Sequence, residues 1–152
     1  MSNLPELDEA DRRIVDALRA DSRQTLASLS RKARLPRSTV HERIRRLRAE
    51  GAIRRFTIES DYARLGLPSL SFILASYDSK SSLTQRETAE RLAKVAGVQA
   101  VYIVSGEWDL LVKLRASSTE EAGRLIMERV RAVPGIGKTY SMSCFHVAKD
   151  EI

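Results

Sequence analysis

The sequence predicts an α+β chain in two parts: an N-terminal winged helix-turn-helix, followed by a C-terminal ferredoxin-like βαββαβ domain. Three observations predict it. Up to Gly51, apolar residues recur at helical spacing. Beyond Pro68 they fall into four strand-length runs separated by two helical stretches. Basic residues concentrate in the first part, where residues 31–55 hold 10 Lys/Arg against 2 Asp/Glu, a net of +8.

The first helix is expected near Asp8. Leu7 precedes it as a hydrophobic staple, Asp8 can cap and Asp11 stands three residues on. Ile14, Val15 and Leu18 form its apolar stripe, and Asp21–Gln24 breaks the pattern. Thr25 can cap a second helix with Leu26, Leu29 and Ala33 on the buried side. A short break, Ala33–Pro36, follows, because Pro36 disfavours helix at Leu35 but suits a helix start. The third helix spans about Arg37 to Glu50 and stops at Gly51. Val40, Ile44 and Leu47 are its packing stripe, while Ser38, Glu42, Arg45, Arg46 and Ala49 lie opposite, flanked by His41 and Thr39. Ile53, Phe56 and Ile58 mark a β-prone stretch, a candidate wing or connecting strand. The expected division is 1–60 for the first domain, 61–68 for a linker punctuated by Gly66 and Pro68, and 69–152 for the second.

In the second part the expected strands are Ser69–Tyr77, Val98–Ser105, Trp108–Arg115 and Ile136–Val147. The helices are Thr84–Ala96, ended by Gly97, and a second one capped by Thr119 that runs to about Ala132 before Pro134 and Gly135. A tight turn at Gly106–Glu107 joins the middle strands. Both strand faces are apolar. Leu70, Phe72 and Leu74 alternate with Ile73, Ala75 and Tyr77; Val98, Ala100, Tyr102 and Val104 alternate with Val101 and Ile103; Leu110, Val112 and Leu114 alternate with Leu111 and Lys113. Two helices cover one face of such a sheet, so the other calls for a cover, and another subunit supplies it most cheaply.

The chain has 152 residues, 43% hydrophobic and 30% charged, as in ordinary globular proteins. No apolar run reaches the roughly 18 residues of a membrane span. The acidic, polar first residues do not read as a secretory signal, and one cysteine, Cys144, cannot form an internal disulfide. A cytoplasmic protein with no membrane partner is the expectation. The net charge is +6, of which residues 1–60 carry +5 and the remainder +1. A basic patch so placed suits a polyanion, because each neutralised phosphate releases a counterion.

A basic third helix behind a four-residue break is the layout that enters the DNA major groove. The candidates for base-edge contact are Arg37, Ser38, Thr39, His41, Glu42 and Arg45. Arg45 can pair with guanine; Glu42 can accept from cytosine, or instead orient Arg45 or Arg46. Arg31, Arg34, Arg46, Arg54 and Arg55 are candidate phosphate partners.

These residues resemble the Lrp/AsnC (feast/famine) regulators. The opening Leu-Asp-x-x-Asp is Leu7, Asp8 and Asp11, the arginine closing the first loop is Arg23, and the end of the third helix has Arg43, Arg46, Leu47, Gly51 and Ile53. Leu65 and Gly66 precede the second domain, Gly106, Glu107, Trp108 and Asp109 resemble the family's Gly-acid-x-Asp turn, and Val133 to Ile136 enter the last strand. The resemblance implies double-stranded DNA as partner, a homodimer built through the βαββαβ domain, and an octamer or other multiple of dimers. It further implies an effector, an amino acid or related metabolite, at Ser105, Gly106, Glu107, Trp108 and Asp109 with Thr139, Tyr140 and Ser141. A glycine turn exposes backbone donors for a carboxylate, and Asp109 can take an ammonium. Glu107 would favour a basic ligand. Alternatively, Gly106 only makes the hairpin turn and Asp109 caps it.

Two other readings compete. Cys144 and His146 lie two apart on one strand and invite a nucleophile–base reading, but no glycine loop, triad or metal cluster accompanies them; no enzyme, cofactor or metal site is expected. A non-specific architectural DNA binder would use the same basic charge and assembly.

Overall fold

The computed structural model describes residues 6–150, so the extreme ends of both expected domains lie outside the described residues. The chain divides into two compact units, one ending at Glu59 and the other beginning at Ser60. The first holds three helices: α1 (Glu9–Ala20), α2 (Leu26–Ala33) and α3 (Arg37–Ala49).

Each helix starts where local chemistry lets it. Asp8 and Asp11 form a reciprocal capping box: the Asp11 N–H donates to Asp8 Oδ1 at 2.7 Å, and the Asp8 N–H donates to Asp11 Oδ2 at 3.3 Å. Thr25 Oγ1 accepts from the Ser28 N–H at 3.2 Å. Arg34 closes α2 in the left-handed region at φ 56°, and α3 opens after Pro36 without a side-chain cap. Gly51, at φ +77°, ends the last turn. Ile14, Ala17, Leu18, Leu29, Ala33, Val40 and Leu47 form the core, with Leu7, Val15, Leu35, Ile44 and Ile53 packed around it. Leu26 is not part of it. It stands in the first turn of α2, and Leu29 and Ala33 carry that helix's burial.

Residues 52–60 form no strand, unlike the expectation for Ile53, Phe56 and Ile58. A strand needs a ladder partner, and none of the described residues supplies one. Phe56 and Ile58 are therefore left exposed.

The second unit is a four-stranded antiparallel sheet, β1 (Ser69–Tyr77), β2 (Val98–Ile103), β3 (Leu110–Ala116) and β4 (Ile136–Cys144), in the order β2-β3-β1-β4. Two helices, α4 (Gln85–Leu92) and α5 (Thr119–Leu125), cover one face; α5 continues as a π-helical turn, Ile126–Val130. This is the ferredoxin-like arrangement the strand pattern predicts. Ile73, Ala75, Leu110, Val112, Leu114 and Ala116 meet Leu92, Ala122, Leu125, Ile126 and Val130 in the core.

Several boundaries move. After Leu92 the bonds tighten, with the Lys94 and Val95 N–H groups donating three residues back, so α4 ends before Ala96. Ser118, not Thr119, caps α5: its hydroxyl accepts from the Glu121 N–H at 3.1 Å. β2 stops at Ile103, β3 starts at Leu110, and β4 stops at Cys144, short of Val147. The residues from Val104 to Asp109 thus form a longer loop than a tight hairpin turn.

The register assigns the faces. Leu70, Phe72 and Leu74 of β1, Leu111, Lys113 and Arg115 of β3, Ala100 and Tyr102 of β2, and Tyr140, Met142 and Cys144 of β4 share the helix-free face. A bulge at Gln99 puts Val98 opposite Leu114 and Ala100 opposite Lys113. Val98 therefore packs with Val101 on the helix side, not with Ala100 and Tyr102 as strict alternation predicts.

Candidate nucleic-acid interface and effector turn

In the first unit, the candidate site is one side of α3. Val40 and Leu47 are fully buried and Ile44 packs beside them, which turns Arg37, Ser38, His41, Glu42, Arg45 and Arg48 outward, with Thr39 half-buried at the edge. Arg31 and Arg34 are exposed at the end of α2, and Arg54 and Arg55 beyond α3. Glu42 Oε2 lies 3.5 Å from the Arg45 guanidinium, so of its two expected roles the one toward Arg45 has a contact.

Arg46 is differently employed. Its guanidinium donates to Asp11 Oδ2 at 2.6 Å, and Arg43 donates to Asp11 Oδ1 at 2.8 Å and to Asp8 Oδ2 at 2.6 Å. Asp11 is 1% exposed. Two arginines of α3 thus converge on one buried carboxylate of α1. Hydrogen bonding from the Asp11 backbone, then from the Arg43 guanidinium, lowers the Asp8 pKa from 3.8 to about 2, and the same carboxylates raise that of Arg43. Arg46 has a partner inside the protein as well as an exposed side.

Two residues outside the sequence expectation join the site. Arg48 lies over the Phe56 ring, 5.7 Å from its centroid. With His41, Ile44, Arg45, Ala49, Ile53 and Arg54 they line an open groove of about 470 Å³, with an apolar floor and a cationic rim. The signal was present in the sequence, since Arg48 lies one turn after Arg45, but Phe56 belongs to a segment expected as strand.

In the second unit, the loop between β2 and β3 is clamped at its ends. The Val104 N–H donates to the Asp109 carbonyl at 2.9 Å, and the Asp109 N–H donates to Ala75 at 3.1 Å. Asp109 Oδ2 accepts from the Tyr77 N–H at 2.7 Å, and Gln85 Nε2 donates to the Asp109 carbonyl at 3.3 Å. One carboxylate oxygen of Asp109 is therefore already engaged in fastening the loop to β1. Between the clamps stand Ser105, Gly106, Glu107 and Trp108. Gly106 has φ +127°, a conformation that side chains disfavour. Among the described residues none accepts a hydrogen bond from the backbone N–H groups of Ser105 to Trp108.

The three expected residues of β4 divide between the faces. Tyr140 pairs with Leu74 on the helix-free side, with its ring 6.4 Å from that of Trp108. Thr139 and Ser141 pair with Ala75 and Ile73 on the helix side, and Thr139 Oγ1 accepts from Arg131 Nε at 2.9 Å. Alternation required this split. Lys138, whose ammonium lies 5.8 Å from the Trp108 ring centroid, is the residue the sequence reading missed; it stands two positions before Tyr140.

No helix is long and apolar enough to cross a membrane among the described residues. Residues 7–54 match the family model for a winged helix-turn-helix DNA-binding domain, and residues 70–152 match that of the Lrp/AsnC ligand binding domain. An uncharacterised HTH-type transcriptional regulator of Pyrococcus abyssi is 49% identical over 146 residues, 96% of this chain and 97% of its own. The solved structure of Bacillus subtilis LrpC superposes with a TM-score of 0.80 at 26% identity, covering 95% of this chain and 98% of that one. A transcriptional regulator of Neisseria meningitidis, solved as its L-Met complex, shares the fold at 21% identity with a TM-score of 0.86, covering 96% and 94%. The clamped basic helix, the βαββαβ sheet and these matches lead to one assignment: the chain belongs to the Lrp/AsnC family and is a transcriptional regulator, not an enzyme, with a DNA-binding helix-turn-helix and a ligand-binding domain.

Proposed function

We propose that the protein binds a specific double-stranded DNA sequence as a dimer or a multiple of dimers, and that an amino acid or related small metabolite modulates it. The observation that carries the DNA half is the outward row of α3, Arg37, Ser38, His41, Glu42 and Arg45, on a helix held by Asp11. In this reading those residues and Thr39 meet base edges, while Arg31, Arg34, Arg54 and Arg55 hold phosphates. Arg46 reaches phosphate only from its exposed side. The working division is a DNA-binding domain over 1–60, a linker over 61–68 and an assembly and effector domain over 69–152. A DNA-binding regulator works where DNA is, so cytoplasmic, nucleoid-associated action follows.

Assembly is supported by the helix-free sheet face, where Tyr102, Tyr140 and Met142 are exposed, Phe72, Leu74 and Leu111 are half-buried, and no helix packs among the described residues. A second copy covers such a face with matching chemistry. The effector half is supported by the free N–H groups around Gly106, which suit a carboxylate. The Trp108 and Tyr140 rings beside them can wall a side chain.

The test is fluorescence anisotropy with a pseudo-palindromic duplex from upstream of the gene, competed by random duplex and repeated with each amino acid. Specific binding should fall steeply as salt rises. Arg45→Ala should narrow the gap between operator and random DNA by roughly 1–3 kcal/mol. A uniform loss on every sequence would instead make Arg45 a phosphate contact, and no operator preference in the parent chain would favour DNA compaction.

A further inference from the structure

The helix-free face is largely apolar; Lys138 stands at its β4 edge beside Trp108, and two further cations lie at its middle. Lys113 and Arg115 both project onto it from β3, and each is only 8% exposed. Lys113 stands opposite Phe72 of β1 and Ala100 of β2, and Arg115 stands opposite Leu70. Arg115 is well served: its Nε donates to Gln99 Oε1 at 3.2 Å, and its guanidinium lies 4.2 Å from the Tyr62 ring centroid. Among the described residues, the Lys113 ammonium has one carboxylate partner, Asp150, which also lies 3.7 Å from the Arg115 guanidinium. Asp150 comes from the segment that follows β4.

An ammonium taken out of water without a counter-charge costs more than its apolar neighbours return. The face therefore makes a demand that apolar contact cannot meet: whatever covers it must leave Lys113 with its carboxylate. We propose that residues 145–150 act as a charge strap, in which Asp150 neutralises Lys113 and Arg115 so that a second copy of the chain can cover the sheet. Without the strap, the same apolar surface would resist burial. The strap rests on the reading of this face as the assembly face. It adds that subunit affinity is set by a residue of the segment after β4 and not by the apolar surface alone.

The experiment is sedimentation equilibrium of the full chain and two variants, with helix melting followed to confirm that each folds. Asp150→Asn keeps shape and removes charge, and should raise the subunit dissociation constant about tenfold or more. Replacing Lys113 as well, K113M/D150N, puts an apolar side chain of similar length where the unpaired ammonium would be, and should recover much of that loss. A D150N dissociation constant within about twofold of the parent overturns the strap and leaves the assembly reading standing. So does a double variant no tighter than D150N, since charge would then not be the cause. A parent chain that stays monomeric across the concentration range overturns both.

Discussion

Asp11 shows how one side chain can serve two levels of structure. It completes the capping box that starts α1, and from its buried position it accepts hydrogen bonds from Arg43 and Arg46 of α3. Buried carboxylates persist when their oxygens are fully paired, and both of these are. The pairing fixes the roll of a helix whose apolar stripe is narrow. Arg46 was legible in the sequence as a cation on the third helix. Its partner was not, because Arg46 and Asp11 stand 35 positions apart and meet only when the helices pack. Asp8 offers a test by pH. Its carboxyl falls from 3.8 to about 2 in the folded protein, so the unfolded chain takes up the proton first. The stability from Asp8 is therefore complete above about pH 4 and is lost as pH falls through about 2. Asp8→Asn retains a capping side chain but has no charge to lose. The gap in urea midpoint between parent and variant should close as pH drops across that window. A constant gap would mean that the Arg43 pairing is not its source.

At the scale of elements, starts were easier to read than ends. Asp8 and Thr25 cap where their sequence says they should, because a cap is a bond made within four residues. By contrast, α4 takes Thr84 as its cap and not as its first helical residue, and α5 is capped by Ser118, one residue before Thr119. The bulge at Gln99, the early stop of β2 and the missing strand after Gly51 depend on a neighbouring strand, which local sequence does not specify. The candidate effector turn divides in the same way. Gly106 and Asp109 announced a turn, but the hold of Asp109 on the Tyr77 N–H needed the β1–β3 pairing. Gly97 is the sharpest element boundary. At φ +83° a Cβ there would stand 2.6 Å from the Arg115 carbonyl oxygen, and the Gly97 carbonyl accepts from the Arg115 N–H at 2.8 Å. Gly97→Ala should destabilise the second unit by roughly 2–3 kcal/mol, read as a drop in its urea midpoint. A neutral outcome would mean that the α4–β2 corner shifts freely.

At the scale of the molecule, the described residues form two hydrophobic clusters that share no residue. Its one tryptophan, Trp108, belongs to the second unit and so reports on that unit. Ile14 is fully buried in the first, where Ile14→Ala should cost roughly 2–5 kcal/mol. The helical signal should then melt at a lower temperature while the Trp108 fluorescence transition stays in place. Equal shifts in both signals would show one cooperative fold. Separate cores also bear on how such a chain diversifies. A crossover between genes near Glu59 and Ser60 would cut through neither core. Descent can therefore exchange the DNA-binding half without disturbing the ligand-binding half, and new circuits can arise by recombination of old halves.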